Sequence, residues 1–183
     1  MDLRTSGHGW RRRIHRFSSR WYGPDPRTTW LTWIADERIA VGTMPTGATI
    51  DRLANEGITH VVNCRAGWET FVSQELHVER ALFGRTRVVH APMWDHGRRQ
   101  HPRRWADAAC FVARILSEDR TARVLIHCQS GVHRSVMVAY AALRLRNHAP
   151  DEAAELIHRH RAEAELLPRY RASVEDWLAS NGG

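Results

Sequence analysis

The chain has 183 residues, 43% of them hydrophobic, with 27 basic against 20 acidic side chains and a formal net charge of +7. That is enough apolar sequence for one domain with a proper core, and too much for a disordered chain. No run of 18 apolar residues marks a transmembrane helix, and three cysteines make no disulfide scaffold, so a reducing, cytoplasmic setting is expected.

The charge is unevenly placed. Every basic residue is arginine; residues 1 to 35 hold seven of them against two aspartates, and the remainder holds twenty against eighteen acids. Residues 1–28 therefore read as a basic arm and 29–183 as the domain. Within the arm, Trp10, Ile14, Phe17 and Trp21 fall at i, i+4, i+7 and i+11, one face of a helix with arginines on the others. Three readings compete: an arm that docks on the domain or stays free, a helix lying on an anionic membrane surface, and an organellar transit peptide. The last two carry the alternatives to a cytoplasmic setting, organellar or membrane-peripheral. The segment has no hydrophobic core of a secretory signal. Basic residues interleaved with aromatics occur only here, too weak a signal for a nucleic-acid partner.

From Thr29 the domain is expected to begin with two short strands, Trp30 to Ile34 and Arg38 to Val41. A short helix from Thr49 to Glu56, ended by Gly57, leads to a core strand from Ile58 to Asn63. Residues 65–86 are the least determined, with a helix over about Trp68 to Phe83. A strand over Arg87 to Ala91 is followed by a loop marked by Pro92 and Gly97. Pro102 starts a helix whose stripe is Trp105, Ala108, Ala109, Val112, Ile115 and Leu116; Cys110 falls in the same pattern as a core residue. After a strand over Arg123 to His127 comes a helix from Ser135 to about Asn147. Another, capped by Asp151 after Pro150, runs to about Glu163. The last carries Leu167, Tyr170, Val174, Trp177 and Leu178 on one face. Strands alternating with helices imply an α/β domain: a central mixed, mainly parallel sheet flanked by helices.

The chemistry is concentrated between the strand ending at His127 and the helix starting near Ser135. In His127-Cys128-Gln129-Ser130-Gly131-Val132-His133-Arg134-Ser135, a cysteine is followed six positions later by an arginine. That spacing alone is cheap in an arginine-rich chain. The histidine, central glycine and following serine lower the chance of coincidence to about one in ten thousand. A cysteine at a helix N-terminus faces unpaired N–H groups and the positive end of the dipole, which favour the nucleophilic thiolate. The same N–H groups cradle phosphoryl oxygens, so Gln129, Ser130, Gly131, Val132 and His133 are the expected binding positions. Gly131 permits the tight backbone path. Arg134 supplies a planar fork of donors for two oxygens, and Ser135 a hydroxyl for the sulfur. His127 is expected to brace the loop from the strand side.

HCQSGVHRS resembles the signature of the cysteine-dependent protein tyrosine phosphatases, in particular the small dual-specificity branch. Ile39 to Ala66 and the helix SVMVAYAALRLRN are similar to other parts of that family's domain, so the likeness spans about residues 29 to 180. The resemblance implies Cys128 as nucleophile, Arg134 as transition-state clamp and Asn63 as a residue that helps hold the loop. A leaving oxygen also needs a proton donor. Asp95, in Pro92-Met93-Trp94-Asp95-His96-Gly97, lies 33 residues before Cys128, and the family places an aspartate at about that spacing. Trp94 and Asp95 are adjacent, without the intervening proline of the tyrosine-specific branch.

The expected activity is phosphomonoester hydrolysis through a cysteinyl-phosphate, on phosphotyrosine and phosphoserine or phosphothreonine of proteins. No cofactor or metal is called for, since backbone donors and Arg134 supply the positive field and the histidines lack zinc-ligand spacing with the cysteines. The alternative is the same chemistry on a phosphoinositide, another phospholipid, a sugar phosphate or an RNA 5′ end, with Arg65, Arg98 and Arg99 adding charge from neighbouring loops. A non-catalytic phosphate-binding module is a further alternative. Cys64 stands to approach Cys128 if their strands are neighbours, either as a disulfide partner or as a plain buried thiol.

Overall fold

A computed structural model describes residues 30–46 and 49–181. The basic arm and the three readings given for it lie outside the described residues. Five strands form one sheet: β1 (Leu31–Trp33), β2 (Ile39–Gly42), β3 (His60–Asn63), β4 (Val88–His90) and β5 (Val124–His127). Their order is β1-β2-β5-β3-β4, with β1 antiparallel to β2 and every other pair parallel. The mixed, mainly parallel sheet expected from the alternation of elements is what the chain builds. β5 lies in the middle with all four residues buried, as a continuous run of Val, Leu, Ile and His on a doubly covered strand requires.

Alternation along the strands divides the core in two. Val41, Val62, Val124 and Ile126 face four helices: α3 (Ala106–Glu118), α4 (Arg134–Leu145), α5 (Pro150–His160) and α6 (Pro168–Asn181). Ala40, Val61 and Leu125 face the other side, against Ile50, Leu53 and Ile58 and the partly buried Leu76, Val78 and Phe83. α4 is buried along nearly its whole length, from Arg134 through Leu143. Its first turn is thereby fixed at the carboxyl end of β5, where open parallel sheets place ligands.

Several sequence expectations need correction. Thr49 to Glu56 does not form a helix; a 3-10 turn covers Ile50–Arg52, because the two residues that must bury here, Ile50 and Leu53, are three apart and eclipse in a 3-10 turn. The segment 68–83 is two helices, α1 (Gly67–Ser73) and α2 (Glu75–Phe83), separated by Gln74 in a left-handed conformation with φ 59°. That break swings Glu75 and Glu79 into the interior. Asp151 is no cap. Glu152 Oε2 accepts the Ala149 N–H at 3.0 Å, while Asp151 pairs with Arg171 at 2.6 Å. α5 stops at His160, short of Glu163, because Arg161 turns inward. Cys110 is exposed, lying off the stripe of Ala106, Ala109, Val112 and Leu116 that α3 buries.

Candidate active site

The loop from Cys128 to His133 is held from outside by its carbonyls. Gln129 O accepts from Met44 N at 3.1 Å and Val132 O from Glu165 N at 2.9 Å. Between them, Gly131 O accepts from Arg161 Nε at 2.9 Å and Ser130 O from Arg161 NH2 at 3.3 Å. With four consecutive carbonyls tied to the scaffold, the amide groups of the loop turn the other way, toward Cys128. The Gly131 N–H points at Cys128 Sγ, 3.3 Å away. Gly131 itself has φ +71° and is pressed against Gly42 and Arg161, leaving no room for a side chain. Loop N–H groups turned inward at a helix N-terminus, with a buried sulfur at their base, have the chemistry that suits an anion.

The electrostatics of the sulfur agree. Burial works to raise the Cys128 pKa, but the Arg134 guanidinium and the Ser135 hydroxyl, 3.3 Å from Sγ, overcome it, and the net shift is downward. Cys64 shows the contrast: burial and the neighbouring Cys128 push its thiol well up. Arg134 is buried and crosses the site. NH1 binds Glu69 Oε2 at 2.5 Å and Met93 O at 3.3 Å, and Nε lies 3.5 Å from Asp95 Oδ2. Burial opposes the ionised form of Glu69, yet the bond to Arg134 prevails and lowers its pKa.

Asp95 reaches the same space from the loop after β4. That loop is pinned through Trp94 O, which accepts from Gln100 Nε2 at 2.8 Å and from Tyr170 Oη at 3.2 Å. The Asp95 side chain stays 32% exposed and contacts both Arg134 and His133. The structure thus brings Cys128, Arg134, Ser135, Asp95 and the loop 129–133 into one site. Asn63 sits one step back: its amide donates to Glu75 at 3.3 Å and Glu79 at 3.2 Å, and Glu79 in turn lies 2.7 Å from His127 Nε2. Burial works to lower the His127 pKa, but the Glu79 carboxylate more than reverses this, and the net shift is upward. Arg65 is not free to meet a substrate. It is fully buried, bound to Glu75 and Ser73 at 2.6 Å each. Arg98 and Arg99 remain exposed, with Arg99 paired to Asp176.

Sequence reasoning missed Glu69, Glu79, Arg161 and Glu165. Glu69 follows a glycine and a tryptophan at a helix start, and its capping bond to Ala66 N at 2.7 Å was a legible local signal. Arg161 is one arginine among 27 and carried none. Next in sequence to Glu69 and Asp95, Trp68 (47% exposed) and Trp94 (46%) present aromatic surface, while Phe71 lines a separate groove with Thr70, Gln74, His77 and Arg80.

No protein-family model matches the chain, and no curated protein matches it. Solved structures do. The chain is similar to Tk-PTP in its active form, with 25% identity, 82% of this chain and 97% of that chain covered, and a TM-score of 0.65. It is similar to PTPMT1 at 21% identity, covering 82% and 95%, with a TM-score of 0.66. A second PTPMT1 structure, at 17% identity over 83% and 96% with a TM-score of 0.66, is a complex with PI(5)P. Kinase associated phosphatase, carrying a serine in place of its catalytic cysteine, matches at 15% identity over 87% and 99%, with a TM-score of 0.69.

Proposed function

For a chain with the fold of the dual-specificity phosphatases, we propose a cysteine-dependent phosphomonoester hydrolase acting on phosphorylated proteins. The observation that carries the reading is the loop itself: four outward-tied carbonyls over a buried cysteine whose thiolate is favoured by Arg134 and Ser135. In the first step the Cys128 thiolate attacks phosphorus in line. The P–O bond breaks, and Asp95 gives its proton to the departing oxygen. The loop N–H groups and Arg134 hold the three equatorial oxygens, a preorganised positive field of the kind worth about 10²–10³ in rate per donor. In the second step water attacks the cysteinyl-phosphate, Asp95 takes the water's proton, and the S–P bond breaks. Ser135 stabilises the departing thiolate, and inorganic phosphate leaves.

One observation favours a second reading, a phospholipid headgroup as substrate. Trp68 and Trp94, each next in sequence to a carboxylate of the site, are exposed aromatic side chains suited to acyl chains or a membrane surface. PTPMT1, similar in fold, has been seen with PI(5)P. The loop carries no lysine at its variable positions, Gln129, Ser130, Val132 and His133, which favours a less highly charged phosphate. Phosphate release by wild type and Cys128→Ser is to be measured on phosphotyrosine and phosphothreonine peptides and on phosphoinositide vesicles. Cysteine-dependent release from the peptides supports the first reading, and release from vesicles alone the second. No release from any leaves a phosphate-binding module.

A further inference from the structure

One side chain of the loop from Cys128 to His133 is engaged at both ring nitrogens. His133 Nδ1 lies 3.2 Å from Asp95 Oδ1, and His133 Nε2 lies 3.1 Å from Glu165 Oε2. The ring is 29% exposed and Glu165 63%, so Glu165 is within reach of water while the Asp95 contact faces the site. Glu165 is also tied by its own backbone to the loop, through Val132 O. Neither contact serves phosphate binding, which the loop backbone and Arg134 supply.

We propose that His133 is a positioning residue for Asp95, with Glu165 setting the ring's orientation. The proposal rests on the phosphatase reading above and names what aims its proton donor. An ionised carboxylate only accepts hydrogen bonds, so Glu165 requires the hydrogen of Nε2. That leaves Nδ1 to Asp95. While one proton is shared between Asp95 and His133, the 3.2 Å hydrogen bond holds, whichever of the two carries it. The first step needs that proton on Asp95, whose second oxygen lies near Arg134 Nε. When the proton goes to the leaving oxygen, Asp95 and the neutral Nδ1 face each other as two acceptors and the contact loosens. The proton taken from water in the second step restores it. A loop-borne acid that is a third exposed has few other restraints on its side chain, so aiming it is where a bracketed imidazole acts.

The test compares isosteres. An asparagine amide reaches the Nδ1 position, where its oxygen accepts from a protonated Asp95 or its nitrogen donates to an ionised one; a glutamine amide reaches the Nε2 position and keeps only Glu165. Activity is read as the ratio of kcat/KM on an alkyl phosphate, whose leaving oxygen must be protonated, to that on 4-nitrophenyl phosphate. His133→Gln should lower this ratio about tenfold, a fraction of the ~10²–10⁴ that a general acid supplies. His133→Asn should retain most of it, and Glu165→Ala should lower it in the same direction as His133→Gln but less. In an Asp95→Asn background none of the three should lower the ratio further. Equal ratios for the Asn and Gln variants, or an undiminished effect without Asp95, would overturn the proposal. Should His133→Gln fail to fold in thermal melting, Glu165→Ala alone decides, since its side chain is exposed. Absence of Cys128-dependent turnover in the wild type would instead remove the phosphatase reading beneath it.

Discussion

Gly131→Ala is the sharpest perturbation of the loop, because its effect can be worked from contacts. A Cβ at this position would stand 2.6 Å from both Arg161 NH2 and Gly42 O, and 2.7 Å from Gly42 C. Carbon atoms pack comfortably at about 3.5–4.0 Å, so something must move. Gly42 is paired in register with His127 on the central strand and cannot retreat without opening the sheet. Arg161 can move only by releasing Ser130 O and Gly131 O. Backbone strain at φ +71° adds about 1–2 kcal/mol for a residue with a side chain, and overpacking about 1–3 kcal/mol. The expected destabilisation is thus roughly 2–5 kcal/mol. A single N–H turned out of the phosphate array should cost about 10²–10³ in kcat. Urea unfolding and kcat/KM on an aryl phosphate measure the two effects. Gly84→Ala is the control, with φ +85° and nothing within 4 Å, so it reports backbone strain alone. If Gly131→Ala matched Gly84→Ala in both assays, the claim that the tied carbonyls orient the loop would be wrong.

Ser135→Ala removes a hydroxyl that favours the Cys128 thiolate, so the pH midpoint for inactivation by iodoacetamide should move up; Arg134→Ala should move it further, and an unmoved midpoint would remove both from thiolate stabilisation. The raised pKa of His127 means its ion pair stabilises the fold fully below about pH 6.5 and that this contribution is lost as pH rises through the folded-state value. Glu79→Gln should therefore destabilise more at about pH 6 than at about pH 9 in urea unfolding; equal losses would refute the assignment. Cys64 and Cys128 follow directly on the paired Asn63 and His127 of neighbouring strands, where Cα spacing of about 5 Å suits a disulfide. Peroxide should convert Cys128 to the sulfenic acid, which the Cys64 thiol attacks with loss of water. Peptide mapping should find the linked pair, and Cys64→Ser should make inactivation irreversible by thiols.

What the sequence showed and what it hid follow from the range of the interactions. The strand, the loop and α4 are legible because His127 to Ser135 is contiguous and each residue type has a chemical reason at its position. The strands were legible from apolar runs, with ends off by a residue or two. The segment 65–86 was not, because its organisation answers to burial of Arg65, Glu75 and Glu79 rather than to a hydrophobic period. Three charged residues in the interior read, from sequence, as surface. Cys110 failed for a simpler reason: an alanine-rich helix offers a wide apolar arc, and pattern alone does not say which edge of it the neighbours cover.

The loop's two tasks converge on one short connection. Arg161 and Glu165 both lie between α5 and α6, 30 or more residues along the chain from the loop carbonyls they hold. Arg161, fully buried, holds the Ser130 and Gly131 carbonyls outward and also binds Thr32 Oγ1 at 3.1 Å and Val41 O at 3.3 Å. It thus fixes the donor array against β1 and β2 at once. Glu165 holds Val132 O by its backbone and His133 by its side chain. On the proposed reading, binding and proton transfer would share a support. Donors aimed in advance stabilise developing charge without reorganising at the moment of reaction, and an acid aimed by the same segment keeps its geometry relative to them. A change confined to the 161–165 connection would on that reading degrade phosphate affinity and leaving-group protonation together, although neither Arg161 nor Glu165 belongs to the proposed donor array.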